Sequence, residues 1–131
     1  MEYEAFREKN QIVSMRLLLK FTTLIVLMGI AFLSLMPSVE LIDFNDKAGH
    51  IIAYFILMFV MSLAYWNGRN AILNSFLVSF LYGIMMEGGQ YFVPGRSFSI
   101  IDMLANGCGS LLAAGILLLF GKKIILLFRI K

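Results

Sequence analysis

The sequence predicts an all-α, polytopic membrane protein in which four transmembrane helices form a single bundle. Of its 131 residues, 60% are hydrophobic and only 15% are charged, whereas about a quarter of a soluble domain is charged. The mean hydropathy is +0.86. Four long apolar runs account for this composition, and each approaches the roughly 20 residues that cross a bilayer core. With short polar extensions, these runs predict helices at about 17–36, 47–66, 71–91 and 100–120.

Helix-breaking and capping residues separate the runs. Pro37 ends the first run, and the polar turn 67–70 separates the second from the third. Ser99-x-x-Asp102 has the form of a capping box that opens the fourth helix. Gly121, followed by two lysines, predicts the end of that helix. The chain therefore divides into an N-terminal segment 1–16, a transmembrane domain 17–121 and a basic tail 122–131.

The distribution of lysine and arginine predicts the orientation of the bundle. Nine of the eleven cations lie in the N-terminal segment, in the second connection or near the C-terminus, and cytoplasmic loops carry the excess of such residues. We therefore expect both termini in the cytoplasm and a multi-pass location in the cell membrane. In so apolar a chain the net charge of +3 is a topology signal, so no nucleic-acid partner is predicted. The two cations on the outer side are Lys47 and Arg96.

The first polar motif lies at the outer start of the second helix. Asp46, His50 and Tyr54 are spaced four residues apart and share one helix face, which Lys47 can join. An interfacial rim of aromatic and snorkelling side chains explains Lys47 and Tyr54. It explains Asp46 and His50 less well, because neither is a favoured anchor at lipid depth. A functional role is therefore favoured for this face.

A second polar motif ends the third helix. Glu87 follows twelve residues without a charge, and an ionisable group at that depth normally faces protein or water. Gln90 continues the polar face, and Gly83, one turn earlier, can admit a close helix neighbour. The pattern favours a functional or charge-pairing role for Glu87.

The third polar motif opens the fourth helix and runs from Arg96 through Ser99 and Asp102 to Asn106. Ser99 as a helix cap, and Asp102 near the positive end of the helix dipole, both have structural explanations. Neither explanation extends to Asn106, an amide one turn deeper. This motif therefore adds polar groups that close packing alone does not require.

The predicted topology brings all three motifs to the outer ends of their helices. Together they predict one outward-facing polar pocket, in which His50, Glu87 and Asp102 are the candidates for acid–base catalysis. The sequence has no nucleotide fingerprint, and one histidine with carboxylates is a poor zinc set, so no metal or other cofactor is predicted. The predicted binding residues are Asp46, Lys47, His50, Tyr54, Glu87, Gln90, Arg96, Ser99, Asp102 and Asn106.

Taken jointly, these motifs resemble those of the VanZ-like family of bacterial membrane proteins, over about Leu35 to Ala113. The resemblance implies a four-helix membrane domain and a role in glycopeptide resistance, seen in that family as lowered susceptibility to teicoplanin. Ala113 stands where the family pattern has a second small glycine. The matching stretches are Leu35-x-Pro37, Asp46-Lys47-x-x-His50-x-x-x-Tyr54, Tyr82-Gly83-x-x-x-Glu87-x-x-Gln90 and Arg96-Ser97-x-Ser99-x-x-Asp102-x-x-x-Asn106-x-x-Gly109.

Three functions remain open at this level. The first is an envelope protein whose pocket binds a membrane lipid, a cell-wall precursor or a lipoglycopeptide antibiotic, with Lys47 and Arg96 attracting phosphate. The second is a membrane enzyme acting on a lipid-linked phosphate or ester, with His50 transferring protons and Glu87 or Asp102 orienting it. The third, a proton-coupled transporter, ranks last because four short helices leave little room for a pathway. A homo-oligomer is compatible with each function.

Overall fold

The structure, a computed structural model, describes residues 2–37 and 46–128 and consists of helices joined by turns. All four helices are long and apolar enough to cross a membrane, which confirms the predicted fold class. The start of α1 and the end of α4 lie at the same end of the bundle, and placement of the termini in the cytoplasm stays a prediction. The helices are α1 (Glu2–Leu35), α2 (Asp46–Ala64), α3 (Arg69–Gln90) and α4 (Ile100–Leu127).

Helix α1 begins well before the predicted start at residue 17. No glycine or proline interrupts residues 2–20, and Glu2 and Glu4 occupy the first turn, where negative charge stabilises a helix. At about 1.5 Å per residue, its 34 residues are longer than the roughly 30 Å hydrocarbon core requires. The apolar span within it is Asn10–Leu35, so the predicted N-terminal segment is a helical extension of the first span. Met1 lies outside the described residues.

Helix α4 also exceeds its prediction, because Gly121 does not end it. The helix continues to Leu127, and a Cβ atom added at Gly121 would lie 2.5 Å from Cη2 of Trp66. This glycine therefore lets the indole of Trp66, which follows α2, approach α4. Gly121 thus serves helix packing and does not end the helix as the sequence predicted. Most of the predicted tail is helical, and residues 129–131 lie outside the described residues.

Helices α2 and α3 each contact all three other helices, and the α2–α4 pair packs most extensively. At that contact the backbone of Gly109 faces the carbonyl oxygen of Ile51, with no room for a Cβ atom. Leucine and methionine side chains such as Met58 and Leu117 fill one half of the interior. Serines lie among them, and the hydroxyls of Ser79 and Ser110 are 2.7 Å apart. Small residues and inter-helix hydroxyl bonds are typical of helix packing in membranes.

The bundle has two distinct ends. We call the end where α1 and α3 finish and α2 and α4 begin the polar end, and the end that carries the α2–α3 turn the turn end. The buried polar side chains Glu87, Gln90, Asp102 and Asn106 all lie towards the polar end. The lipid-facing surface between the ends is lined by exposed leucine, isoleucine and phenylalanine, so the polar end is the place to look for chemistry.

Candidate functional site

An ion pair joins α2 and α4 at the polar end. Nζ of Lys47, in the first turn of α2, lies 2.6 Å from Oδ1 of Asp102, in the first turn of α4. A second carboxylate, on Asp46, lies 3.9 Å from the same ammonium. Asp102 is buried, whereas Asp46 is exposed. The pair therefore ties the starts of two helices together and places a cation among carboxylates.

The only histidine is held from one side by an amide. Nδ1 of His50 lies 2.9 Å from Oδ1 of Asn106, and Asn106 is almost fully buried. With the amide in this orientation, Nδ1 donates its proton to the oxygen and Nε2 is left as an acceptor. Nε2 is 3.8 Å from Oδ1 of Asp46. Neither helix capping nor the helix dipole explained Asn106 at the level of sequence. In the structure it holds the orientation of the His50 ring.

Glu87 is completely buried and has only one of its carboxylate oxygens hydrogen-bonded. Oε2 accepts the backbone N–H of Ser99 at 3.3 Å. Oε1 has no hydrogen-bond partner among the described residues and lies 3.9 Å from Nδ1 of His50. A buried charge without full hydrogen bonding is costly, so packing alone does not account for this carboxyl group.

The predicted capping box forms only in part. The hydroxyl of Ser99 accepts the backbone N–H of Asp102 at 3.2 Å, as a helix cap should. The reciprocal bond, from the Ser99 N–H, goes to Glu87 instead, because the Asp102 carboxylate is turned towards Lys47. The sequence of α4 predicted the bond from the Asp102 N–H to the Ser99 hydroxyl. The bond from the Ser99 N–H to Glu87 depends on the contact between α3 and α4.

Arg96 holds the end of α1. Its Nη2 donates to the carbonyl oxygen of Leu33 at 3.0 Å, and its Nε donates to that of Met36 at 3.3 Å. The last carbonyls of a helix lack intrahelical donors and carry partial negative charge, so a guanidinium there is stabilising. The sequence had suggested that the guanidinium of Arg96 would bind a ligand phosphate or carboxylate. In the structure two of its nitrogens already bind backbone oxygens.

A cavity of about 270 Å³ opens between α1 and the starts of the polar motifs. One wall is apolar and consists of Ile30, Leu33 and Ala53. The other wall is polar and includes Asp46, which lies 3.9 Å from the ammonium of Lys47. The polar lining residues are Ser34, Asp46, His50, Tyr54, Gln90 and Arg96, with Gly49 between them.

Three buried polar atoms near this cavity lack a hydrogen-bond partner within the described part of the chain. They are the Tyr54 hydroxyl, Oε1 of Glu87 and Nδ2 of Asn106. Gly83 leaves room for the side chains of Asn106 and Tyr54, because its added Cβ atom would lie 3.1 Å from Nδ2 of Asn106 and 3.2 Å from Cε1 of Tyr54. Since buried polar groups are nearly always paired, this group is the strongest indication of a binding site.

All ten predicted binding residues thus lie at the polar end, in two groups. Hydrogen bonds or close charge contacts link Asp46, Lys47, His50, Glu87, Ser99, Asp102 and Asn106. Tyr54, Gln90 and Arg96 belong to the cavity wall. Sequence reasoning missed five residues of the cavity wall, and an apolar helix gives no signal that would have identified them: Ile30, Leu33, Ser34, Gly49 and Ala53.

The arrangement can also be tested as a metal site. Ligand atoms of Asp46, His50 and Asp102 lie within 4.8 Å of one another. The ammonium of Lys47, however, lies 2.6 Å from Asp102 and 3.9 Å from Asp46, so the protein supplies its own cation among these carboxylates. The residues present therefore fit a resident metal poorly.

Fold and site together define a polytopic helical membrane protein with a partly unsatisfied polar cluster beside a cavity at one end. The chain matches the family model described as VanZ/LLP1 over residues 2–121, and it belongs to that family. Among curated proteins and solved structures, no match to the chain was found.

Proposed function

We propose that this VanZ/LLP1 protein binds part of an amphiphilic ligand in the cavity at the polar end and thereby lowers susceptibility to teicoplanin. The ligand classes are a membrane lipid, a lipid-linked cell-wall precursor and the lipoglycopeptide antibiotic itself. The observation that carries the proposal is the buried, unpartnered hydroxyl of Tyr54 in a wall of that cavity. A buried hydroxyl without a partner is costly, and a ligand would supply the missing hydrogen bond.

The cavity's shape and lining indicate what part of the ligand it takes. Its volume of about 270 Å³ is at the lower limit for small-molecule pockets, which run from about 300 to 1,000 Å³. It therefore holds one group of a larger molecule. Leu33 and Ile30 would pack on an apolar portion, while Tyr54 and Gln90 would hydrogen-bond a hydroxyl, amide or carbonyl.

The site's cations do not favour a phosphate as the bound group. Lys47 is paired with Asp102, and Arg96 donates to two carbonyls of α1. Three carboxylates, on Asp46, Glu87 and Asp102, accompany these two cations. A neutral hydrogen-bonding group of a sugar or peptide therefore suits the pocket better than a free anionic one.

One observation favours an enzymatic alternative. Asn106 orients His50 through Nδ1, which leaves Nε2 available as a proton acceptor beside the cavity. In this alternative Glu87, 3.9 Å from Nδ1, would stabilise the protonated ring, and a lipid-linked ester or phosphate would be the substrate. His50→Gln distinguishes the two: it removes the proton acceptor and keeps a polar side chain, so an enzyme would lose resistance completely and a binding protein only in part.

Filling the cavity tests the proposal directly. Ala53→Leu would extend three carbons into the cavity from its apolar wall without removing any polar group. At matched membrane levels we expect cells producing this variant to lose the teicoplanin resistance conferred by the unmodified chain. Cys108→Leu, at an exposed position of α4, is the matched control and should leave resistance unchanged. Full resistance with Ala53→Leu would show that the cavity is not the binding site.

A further inference from the structure

A second cavity lies at the turn end of the bundle, away from the polar cluster. It measures about 460 Å³ and is bounded by the end of α2 and the first turns of α3. Apolar side chains, including Met61 and Val78, form part of its lining. Polar side chains line the rest, namely Tyr65, Asn67, Asn70, Asn74 and Ser75. No carboxylate belongs to this lining, in contrast to the cavity at the polar end.

Two cations lie at this end of the bundle. Nζ of Lys20 lies 5.2 Å from the centre of the Tyr65 ring, and Tyr65 lines the cavity. Arg69 is exposed at the first position of α3. The N-terminus of α3 adds partial positive charge, and Gly68, its capping residue, provides no side-chain hydrogen bond. Side-chain amides and helix N–H groups beside cations are the donors that bind phosphate.

A nearly buried serine in the cavity lining gives independent evidence for a polar ligand. Ser75 is only 3% exposed, and within the described ranges its side chain has no hydrogen bond to another residue. Serines in apolar helices ordinarily bond to a carbonyl one turn back, as Thr23 does to Leu19 in this chain. Ser75 instead faces the cavity with its hydroxyl available.

We propose that the cavity at the turn end binds a phosphate group. The donors would be the amides of Asn70 and Asn74, the Ser75 hydroxyl and the start of α3, with Lys20 and Arg69 providing charge. A phospholipid head group and free phosphate share this chemistry. The apolar wall at Met61 and Val78 fits the glycerol and first acyl carbons of a lipid. The proposal does not depend on the function proposed for the polar end.

The only tryptophan in the chain, Trp66, provides the measurement. It follows Tyr65 and precedes Asn67, so brominated lipid bound in the cavity would quench its fluorescence. In phosphatidylcholine vesicles we expect brominated phosphatidylglycerol to be preferred over brominated phosphatidylcholine by more than about fivefold, the factor expected from one charge near a membrane surface. Asn74→Leu should remove the preference by filling the cavity, and Ser75→Ala should weaken it with little risk to folding.

A charge control separates the cavity from general attraction to a basic surface. Lys122→Gln removes one exposed cation at the same end of the bundle and should leave the preference unchanged, whereas general attraction to a basic surface would lower it by about fivefold. No preference in the unmodified protein would exclude a lipid head group as the source of the phosphate. A preference that falls with Lys122→Gln and is unaffected by Asn74→Leu and Ser75→Ala would refute the proposal.

Inorganic phosphate distinguishes the two sources of the group. If the cavity binds free phosphate, added phosphate should raise the unfolding midpoint of the unmodified protein in phosphatidylcholine vesicles. Sodium chloride of equal ionic strength should not raise it. Asn74→Leu should abolish that rise. If the cavity takes a lipid head group, phosphate should have no such effect while the lipid preference persists. Absence of both effects would overturn the assignment.

Discussion

The hydroxyl of Tyr54 makes an unusual stability prediction. Tyr54 is 1% exposed, and its hydroxyl has no hydrogen-bond partner among the described residues. In protein mutagenesis, burying a hydroxyl without a partner costs about 1–3 kcal/mol. Tyr54→Phe removes that oxygen and leaves the ring in place, so the variant creates no cavity beyond the space of one atom. We expect it to be more stable than the unmodified protein by about 1 kcal/mol.

Tyr82 is the matched control for this substitution. Its ring lies 6.5 Å from that of Tyr54, and its hydroxyl donates to the carbonyl oxygen of Leu27 at 2.7 Å. Tyr82→Phe therefore loses a hydrogen bond between α3 and α1, which should destabilise the protein by about 1 kcal/mol. Two neighbouring Tyr-to-Phe changes are thus expected to shift stability in opposite directions.

Unfolding by increasing mole fraction of SDS, followed by Trp66 fluorescence, measures both shifts, and teicoplanin susceptibility is measured in parallel. We expect Tyr54→Phe to lose resistance while it gains stability, because the hydroxyl is reserved for the ligand. If Tyr54→Phe destabilises the protein as much as Tyr82→Phe does, the hydroxyl has a partner in the free protein. The argument for an open binding site at this position would then be wrong.

Three further predictions concern packing, charge and topology. Gly109→Ala should destabilise the bundle by about 1–3 kcal/mol, because the added Cβ would overlap the backbone of α2. Gly115 has open space around it, so Gly115→Ala should stabilise the bundle by about 0.5–1 kcal/mol in the same unfolding assay. Arg96→Lys keeps the charge at the end of α1 and loses the two-nitrogen grip on its carbonyls, so at matched expression it should lower resistance less than Arg96→Ala; equal resistance in all three proteins would make the contact dispensable. In a cysteine-free background, a membrane-impermeant reagent should label a cysteine at Val93 in intact cells and not one at Asn10, and the reverse pattern would overturn the predicted orientation.

The sequence predicted the number and placement of the helices because lipid imposes a simple rule. Each span needs a long apolar run, and such runs are visible without any knowledge of contacts. The rule did not predict the ends of α1 and α4, because apolar runs carry no information about contacts between helices. Gly121 was expected to stop α4, but it accommodates Trp66 instead. Residues 2–16 contain nothing that breaks a helix, so α1 begins well before the first residue of the apolar run.

Spacing also predicted which residues would gather, although it did not predict their partners. Intervals of three and four residues placed Asp102 and Asn106 on one face of α4. Which neighbour each side chain meets depends on how far the helices are rotated and shifted against one another. That relation assigned Lys47 to Asp102, His50 to Asn106 and the Ser99 N–H to Glu87. No pattern within a single helix contains this information.

The partners found in the structure change the chemistry expected of the site. Most of its charged groups position the protein itself, since Lys47 and Asp102 join two helices and Arg96 secures a third. Atoms engaged in this way must be released before they can bind anything else, at the cost of an unpaired charge. The atoms still available are mainly neutral, among them the Tyr54 hydroxyl and the Asn106 amide. Under the proposed function, we therefore expect recognition at the polar end to depend on hydrogen bonds to an uncharged group, with the charged residues holding the helices in place around those atoms.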